Sequence, residues 1–322
     1  RQIQKNQRYA HASELASLYK FINNKKKMVD EYINLLIQDF KEQEFVQNSL
    51  QAELGAADYE YLETQLFQRL TEQSQNQELG KLLAWHYIQQ QDFYNAFVQS
   101  RSIDKKLGLH GRDLFHLGSL AVENRDYDAA VKIYSYIATT YDDVYTYLRA
   151  QKSLIQAKEK QLKVTYPIDT AAVKAVISDY NQLLPKLRRP EDKTEVNRSK
   201  ALLFAFYLHD NDSAIALLNG IITQTRINRE LLAQSKLDLG DIYLLHGEPW
   251  ESTLLYSQVE KLIQDDRLGH LAKLKNAKLA FYKGDFDLAQ AYLDVLKLAT
   301  SREIANDAMD LSILIQDNLA LD

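Results

Sequence analysis

The chain has no cysteine among its 322 residues, so it can hold no disulfide, no thiolate metal ligand and no cysteine nucleophile. Proline and glycine are scarce, 4 and 10 residues, which is too few breakers for an all-β fold with its many tight turns. No apolar run approaches the roughly 18 residues that a membrane-spanning helix needs. Neither sign of charge dominates: 39 Lys and Arg against 44 Asp and Glu leave a net charge of −5. No broad positive field therefore favours nucleic acid. The one basic run, Lys25-Lys26-Lys27, is followed by Asp30-Glu31 and reads as a solvated helix start. No secretory signal is visible, and the chain opens on Arg1 rather than Met; a removed export signal and a trimmed start both account for that. The missing cysteines suit an oxidising compartment, so an exported bacterial protein of the periplasm or cell envelope is favoured over a cytoplasmic one.

Catalytic signatures are also missing. There is no G-x-S-x-G elbow, no H-E-x-x-H, no G-x-x-x-x-G-K phosphate loop and no G-x-G-x-x-G. The seven histidines, His11, His86, His110, His116, His209, His246 and His270, include no pair four residues apart that could share a metal on one helix face. His110 and His116 flank Asp113, but such a grouping reads first as ordinary helix surface. Carboxylates are plentiful, yet acids along helices are usually a solvating face and nominate no general acid. The expectation is a protein without catalytic residues, cofactor or metal.

What is present is a period. At an offset of 34 residues, Leu15, Ser49, Leu83 and Leu117 fall in line, followed by Ala16, Leu50, Ala84 and Gly118. Further on, Lys25, Tyr59, Phe93 and Tyr127 align, then Met28, Leu62, Ala96 and Ala130, then Tyr32, Leu66, Ser100 and Tyr134. A fixed period of this length with small or apolar residues at set offsets is the mark of a helix–turn–helix solenoid. Later units keep the grammar at spacings of 38 and 37: Ala201-Leu202, Leu239-Gly240 and Asn276-Ala277 each begin one. The composition, 46% hydrophobic and 26% charged, fits a helical array in which each unit buries its face against its neighbours.

These residues resemble the tetratricopeptide repeat family. In that family a small residue on the first helix of each pair meets a small residue on the second, as Gly118 with Ala130, Ala84 with Ala96 and Ala277 with Ala289 would here. The turn signal matches too: Arg125-Asp126-Tyr127, Gln91-Asp92-Phe93 and Gly284-Asp285-Phe286, with Asp placed to cap the second helix. Glu248-Pro249 is a variant with proline at the first helical position. The family's early Trp on the first helix is missing throughout, and Met28 and Leu62 replace the small residue in the first two units. The resemblance implies an all-α, right-handed superhelix of about eight helix pairs. Residues 1–143 read as N-terminal repeats and 198–322 as C-terminal repeats with an unpaired last helix. Between them, 144–197 reads as one irregular repeat with an enlarged turn, a long exit loop and a candidate hinge. In the last helix Leu311, Ile313, Leu314, Ile315 and Leu319 leave an apolar side, where the parent chain would continue or a second copy of the chain would meet it.

Carried over residue by residue, the family's groove-facing offsets fall on Lys81, Leu82, Trp85 and Gln89, then on Arg112, Phe115, His116 and Ser119. In the later units they fall on Leu237, Asp238, Asp241 and Leu245, then on Leu274, Lys275, Lys278 and Tyr282. Trp85, Phe115 and His116 stand out because aromatic anchors dominate binding hot spots, although Trp85 and Phe115 would equally serve as filling between successive helices. The carboxylate clamp by which some relatives hold a peptide's C-terminus has Trp85, His116 and Ser119 in its place, so that ligand is not expected. Of the 20 tyrosines, Tyr19, Tyr32, Tyr87, Tyr127, Tyr134, Tyr243, Tyr256 and Tyr292 fall on offsets expected to be interior. The function implied is a non-catalytic protein–protein interaction scaffold that binds a peptide segment or partner helix in its groove, in a bacterial multiprotein or cell-envelope assembly. The rival is a regulatory module of a larger protein whose catalytic region lies outside this chain. A carbohydrate-handling accessory protein rests on the aromatic count alone.

Overall fold

The computed structural model describes residues 11–264, 266–299 and 301–319. Among these residues all regular structure is helical. The helices are α1 Ala12–Phe21, α2 Lys25–Gln38, α3 Gln43–Glu53, α4 Ala56–Glu72, α5 Gln77–Gln89, α6 Phe93–Leu107, α7 Arg112–Glu123, α8 Tyr127–Thr140 and α9 Val144–Val164. Then come α10 Thr170–Leu183, α11 Pro190–Leu208, α12 Asn211–Ile222, α13 Arg229–His246, α14 Pro249–Leu262, α15 Arg267–Tyr282, α16 Phe286–Leu296 and α17 Arg302–Leu319. The chain divides after Val164 into two compact units, the first carrying α1 to α9 and the second α10 to α17.

One turn recurs through both units. The residue that ends the first helix of a pair takes a left-handed backbone: Asn23 at φ 54°, Gln91 at 58°, Arg125 at 64°, His209 at 55°, Gly247 at 88° and Gly284 at 81°. The next residue's amide then reaches back to an earlier carbonyl of that helix, as Asp92 to Tyr87 at 2.9 Å, Asp126 to Ala121 at 2.8 Å and Asp285 to Ala280 at 2.9 Å. This is a Schellman-type closure that satisfies otherwise orphaned carbonyls. The same residue begins the second helix. The carboxylates of Asp92, Asp126, Asp210 and Asp285 accept from the amides of Asn95, Ala129, Ser213 and Leu288, each three residues on. After Asn23 the side-chain carbonyl of Asn24 takes this part, accepting from the Lys27 amide at 3.2 Å, whereas Glu248 offers no such cap and Pro249 takes the first helical position, where it has no amide to leave unpaired.

With the turn so short, the paired helices cross where side chains are small. Ala84, Ala96, Gly118, Ala130, Ala277 and Ala289 are all buried. At the equivalent crossing of α13 and α14, the Ser252 hydroxyl donates to the Gly240 carbonyl at 2.7 Å, which places side chain against backbone. Gly118 and Gly240 also make room for a ring. A Cβ added to Gly118 would lie 2.7 Å from the Tyr134 ring, and one on Gly240 would lie 2.5 Å from the Tyr256 ring. Four of the eight tyrosines expected inside, Tyr32, Tyr87, Tyr134 and Tyr256, are buried, and the other four are half-buried.

Two regions depart from this pattern. Helices α3 and α4 do not pack along one another; both lean on α2, which also meets α5. Leu50 and Leu62 occupy the crossing positions there and are fully buried, so bulk holds apart what glycine and alanine let touch elsewhere. At the head of the second unit, Pro185 lies in a 3-10 turn, Leu184–Lys186, directly after α10. Pro190 opens α11, so the segment following this turn is helical from that residue onward. In α17, Ile315 is buried and Leu311 half-buried against α15 and α16. Ile313 and Leu314 are exposed, as are Glu303, Asn306, Asp310 and Asp317. The outward side of that helix is therefore a mixture of acids and aliphatics rather than an apolar face. The side chain of Leu319 lies outside the described residues.

Gly240→Ala should cost about 1–3 kcal/mol, because a fully buried ring has nowhere to retreat. Gly220→Ala, exposed on α12 with open space around its Cα, should be neutral or stabilise by up to about 1 kcal/mol through helix propensity. Urea unfolding of the two variants checks the contrast; equal stabilities would mean that the Gly–Tyr contact is not tight.

Candidate partner-binding face

The first helices of successive pairs carry the candidate residues, and counting from the small crossing residue puts them in register. One position beyond it stand Trp85, Ser119, Asp241 and Lys278; two before it stand Leu82, His116, Asp238 and Lys275. Three before it stand Lys81, Phe115, Leu237 and Leu274, and of these the three apolar side chains are buried.

In the second unit these positions are spent on one another. Asp241 on α13 accepts both the Lys275 ammonium of α15, at 2.8 and 3.0 Å, and the Tyr256 hydroxyl of α14, at 2.5 Å. Burial and the neighbouring Asp241 carboxylate both push the Tyr256 hydroxyl pKa up, so it stays protonated and donates. Lys278 on α15 reaches Asp307 on α17 at 3.2 Å. At the other end Arg198 of α11 forks onto α13, donating to Gln234 at 3.0 Å and to the Asp238 carboxylate. Burial raises the Asp238 pKa, and the Arg198 guanidinium opposes that rise. A ladder of side-chain pairs thus joins α11, α13, α15 and α17.

The first unit treats the same offsets differently. Phe115 is only 5% exposed, its ring 6.2 Å from that of Tyr134 and the Arg149 guanidinium 4.0 Å above it. It belongs to the core, not to a recognition surface, because α9 covers it. Leu82 is likewise buried. Trp85 is half-buried, tilted against Tyr59 with ring centroids 6.5 Å apart. His116 and Arg112 are exposed; Arg112 pairs with the adjacent Asp113 at 3.0 Å. Ser119 is exposed and donates to the Phe115 carbonyl at 3.1 Å, with the Tyr134 hydroxyl 3.4 Å away. Lys81 pairs with Glu78 at 3.0 Å, one turn back on its own helix, and Gln89 is half-buried. The structure therefore keeps Trp85, Gln89, Arg112, His116 and Ser119 at least partly open, while Asp241 and Lys278 are tied into the ladder.

Sequence reasoning did not find Arg198, which no repeat offset marks, nor a buried cluster on α5. His86 is 2% exposed, set between the rings of Tyr59 and Tyr87, with its Nε2 3.6 Å from the Glu63 carboxylate. The Tyr87 hydroxyl donates to the same carboxylate at 2.8 Å. Burial lowers the His86 pKa, and Glu63 only partly offsets it. Among the described residues no group of three His, Asp or Glu could hold a metal, and no helix is long and apolar enough to cross a membrane.

No protein-family model matches the sequence, and no curated protein sequence matches it. Solved structures align with it at low identity. A putative kinesin light chain from Podosopora anserina with nearly identical TPR-like repeats aligns with 57% of this chain and 92% of its own at 17% identity, TM-score 0.45. BtubC (BKLC) from P. vanneervenii aligns with 71% and 88% at 14% identity, TM-score 0.46. A tetratricopeptide repeat protein from Parabacteroides merdae aligns with 83% and 99% at 13% identity, TM-score 0.39. All three TM-scores are below 0.5. The helices themselves, paired through one repeated turn and stacked in series, make the architecture a TPR-like helical-hairpin solenoid.

Two outcomes follow from the buried groups. Because folding lowers the His86 pKa below its ordinary 6.5, the unfolded chain takes up that proton first as pH falls. The stability this residue contributes is complete above about 6.5 and drains away below it. His86→Gln should therefore flatten the loss of stability between pH 7 and 5, measured by urea titration at each pH; an unchanged slope would mean the imidazole titrates freely. At the ladder, a double-mutant cycle of Asp241→Asn and Lys275→Gln should return a coupling of about 0.5–1 kcal/mol, since both partners keep some solvent. A zero coupling would make the pair incidental.

Proposed function

We propose that the chain is a non-catalytic protein-interaction scaffold and that the α5–α7 face, centred on Trp85 and His116, receives an extended segment or helix of another protein in a multiprotein assembly. Folds built from such hairpins generally serve protein interaction. The observation that carries the finer reading is a contrast in register. In the second unit the residue after the small crossing position, Asp241, is satisfied by the residue two before it on the next first helix, Lys275. The corresponding pair in the first unit is Trp85 and His116. Instead of an internal ion pair, that location offers a half-buried indole and an exposed imidazole that makes no hydrogen bond to any described residue. An aromatic ring already held on one side by Tyr59 loses little freedom when a partner covers the other, which is what a hot spot requires. Arg112, Ser119 and Gln89 supply polar contacts around it.

His116→Glu and Ser119→Arg alter exposed side chains only and should leave the helical signal and unfolding midpoint unchanged. Pull-down from native lysate with each of them, and with Trp85→Ala, should recover the wild-type partner at about one tenth or less of the wild-type yield. If all three variants recover the partner as well as the wild type does, the partner docks elsewhere and the α5–α7 face is discarded.

A further inference from the structure

The second unit carries an uncovered apolar surface that the hairpin architecture does not require. It lies at the turn ends of its last two hairpins, away from the ladder positions. Trp250, the second residue of α14, is 76% exposed, and Tyr282 at the end of α15 is 80% exposed. Two comparisons within the chain show that the fold has no need of this. Five residues past the small crossing residue stand the polar Gln89 on α5 and Glu123 on α7, but the apolar Phe21 on α1, Leu245 on α13 and Tyr282 on α15. The residue after the capping Asp is Phe93 on α6, 2% exposed, and Phe286 on α16, 36% exposed. The same side chain at the same offset is core in the first unit and surface in the second.

These residues form one patch. The Lys283 ammonium lies 4.2 Å from the Trp250 ring centre, joining the two turns, and the Phe281 ring lies 5.5 Å from Tyr282 and 5.7 Å from Phe286. Leu254 adds exposed aliphatic surface beside Trp250 on α14. The rim is acidic. Over residues 244–254 and 281–288 the exposed charged groups are Glu248, Glu251, Asp285 and Asp287 against Lys283, with His246 beside Glu248 at 3.7 Å. Contiguous apolar surface on this scale marks interaction sites on soluble proteins, and the charge around it selects the partner. A second copy would bring acid against acid, and an anionic bilayer would be repelled by the same rim. A cationic chain is attracted, and the Trp250 ring already holds one ammonium, the geometry by which an indole recognises a cation.

We propose that this turn edge docks a basic segment of another protein, one that pairs apolar side chains over Tyr282 and Phe286 with a lysine or arginine against the Trp250 ring. The surface is independent of the α5–α7 face, and either can fail without the other. The test is selection of a displayed random 16-residue peptide library on the intact chain, with a Trp250→Ala/Tyr282→Ser variant used for counter-selection. Peptides retained by the wild type should be enriched in Lys and Arg interspersed with aromatic or aliphatic residues. Their synthetic versions should bind about tenfold more weakly to Trp250→Ala and to Glu251→Lys/Asp287→Lys, and more weakly still in high salt. All four residues are exposed, so the helical signal should not change. No retained peptides, peptides without basic enrichment, or equal binding by the variants would each overturn the proposal. So would Trp250-dependent binding to vesicles of phosphatidylcholine with phosphatidylglycerol, or a Trp250-dependent dimer in sedimentation, in place of the peptide.

Discussion

The turn between paired helices is the constraint from which the rest follows. A left-handed residue ends one helix, and the residue after it closes that helix and begins the next, capping it where it is Asp or Asn, so the reversal takes only a few residues. A reversal that short leaves the helices in contact from their first turns, and it makes the distance along the chain between crossing residues constant. Gly118 and Ala130, Gly240 and Ser252, and Ala277 and Ala289 are each 12 residues apart. At these three crossings the short turn brings the helices close enough to favour small side chains, while at α1–α2 Met28 packs opposite Ala16 across the same kind of turn. Where the turn differs, they differ as well: Leu54-Gly55 joins α3 to α4 without the left-handed residue, and the crossing positions there are filled by leucine. Those helices pack on α2 instead.

Glycine appears at the crossing where a tyrosine from the second helix lies over it. Tyr134 covers Gly118 and Tyr256 covers Gly240, each 16 residues on, whereas the residues 16 beyond Ala84 and Ala277 are Ser100 and Leu293. The ring takes the volume of the missing Cβ, and its hydroxyl reaches the residue after the glycine, Ser119 in one case and Asp241 in the other. At Asp241, bonded at 2.5 Å, a candidate recognition position is thereby drawn into the packing of its own hairpin, while Ser119, 3.4 Å from the Tyr134 hydroxyl, stays exposed.

This is also where legibility in the sequence stops. The period, the capping Asp residues and the small crossing residues are properties of one hairpin, encoded within a single repeat, and reading the chain against itself finds them. Whether a side chain at a first-helix offset is free depends on what the next hairpin presents. Phe115 looks like an anchor until Arg149 and α9 lie over it, and Asp241 looks like a groove residue until Lys275 arrives from a helix 34 positions away. Burial of His86 beside Glu63 is equally invisible, because the two come from different helices with no spacing rule between them. An offset carries a direction along the helix, but not the identity of what stands opposite.

Around α5–α7 and α13–α16 the two units therefore divide their polar and aromatic surface differently. In the second unit the first-helix face is consumed by pairs running from Arg198 to Asp307, which bind helix to helix and leave few free groups for a ligand. Its unpaired aromatic surface lies instead at the turn ends, around Trp250 and Tyr282. In the first unit the polar residues Gln89 and Glu123 occupy the turn ends of α5 and α7, and the indole of Trp85 and the imidazole of His116 stand on the helix face. A side chain that satisfies a neighbour cannot also recognise a partner without breaking that bond, so each unit can offer recognition only where its own packing has left groups unspent. The location of the free groups, more than the repeat pattern they share, separates what the two units can bind.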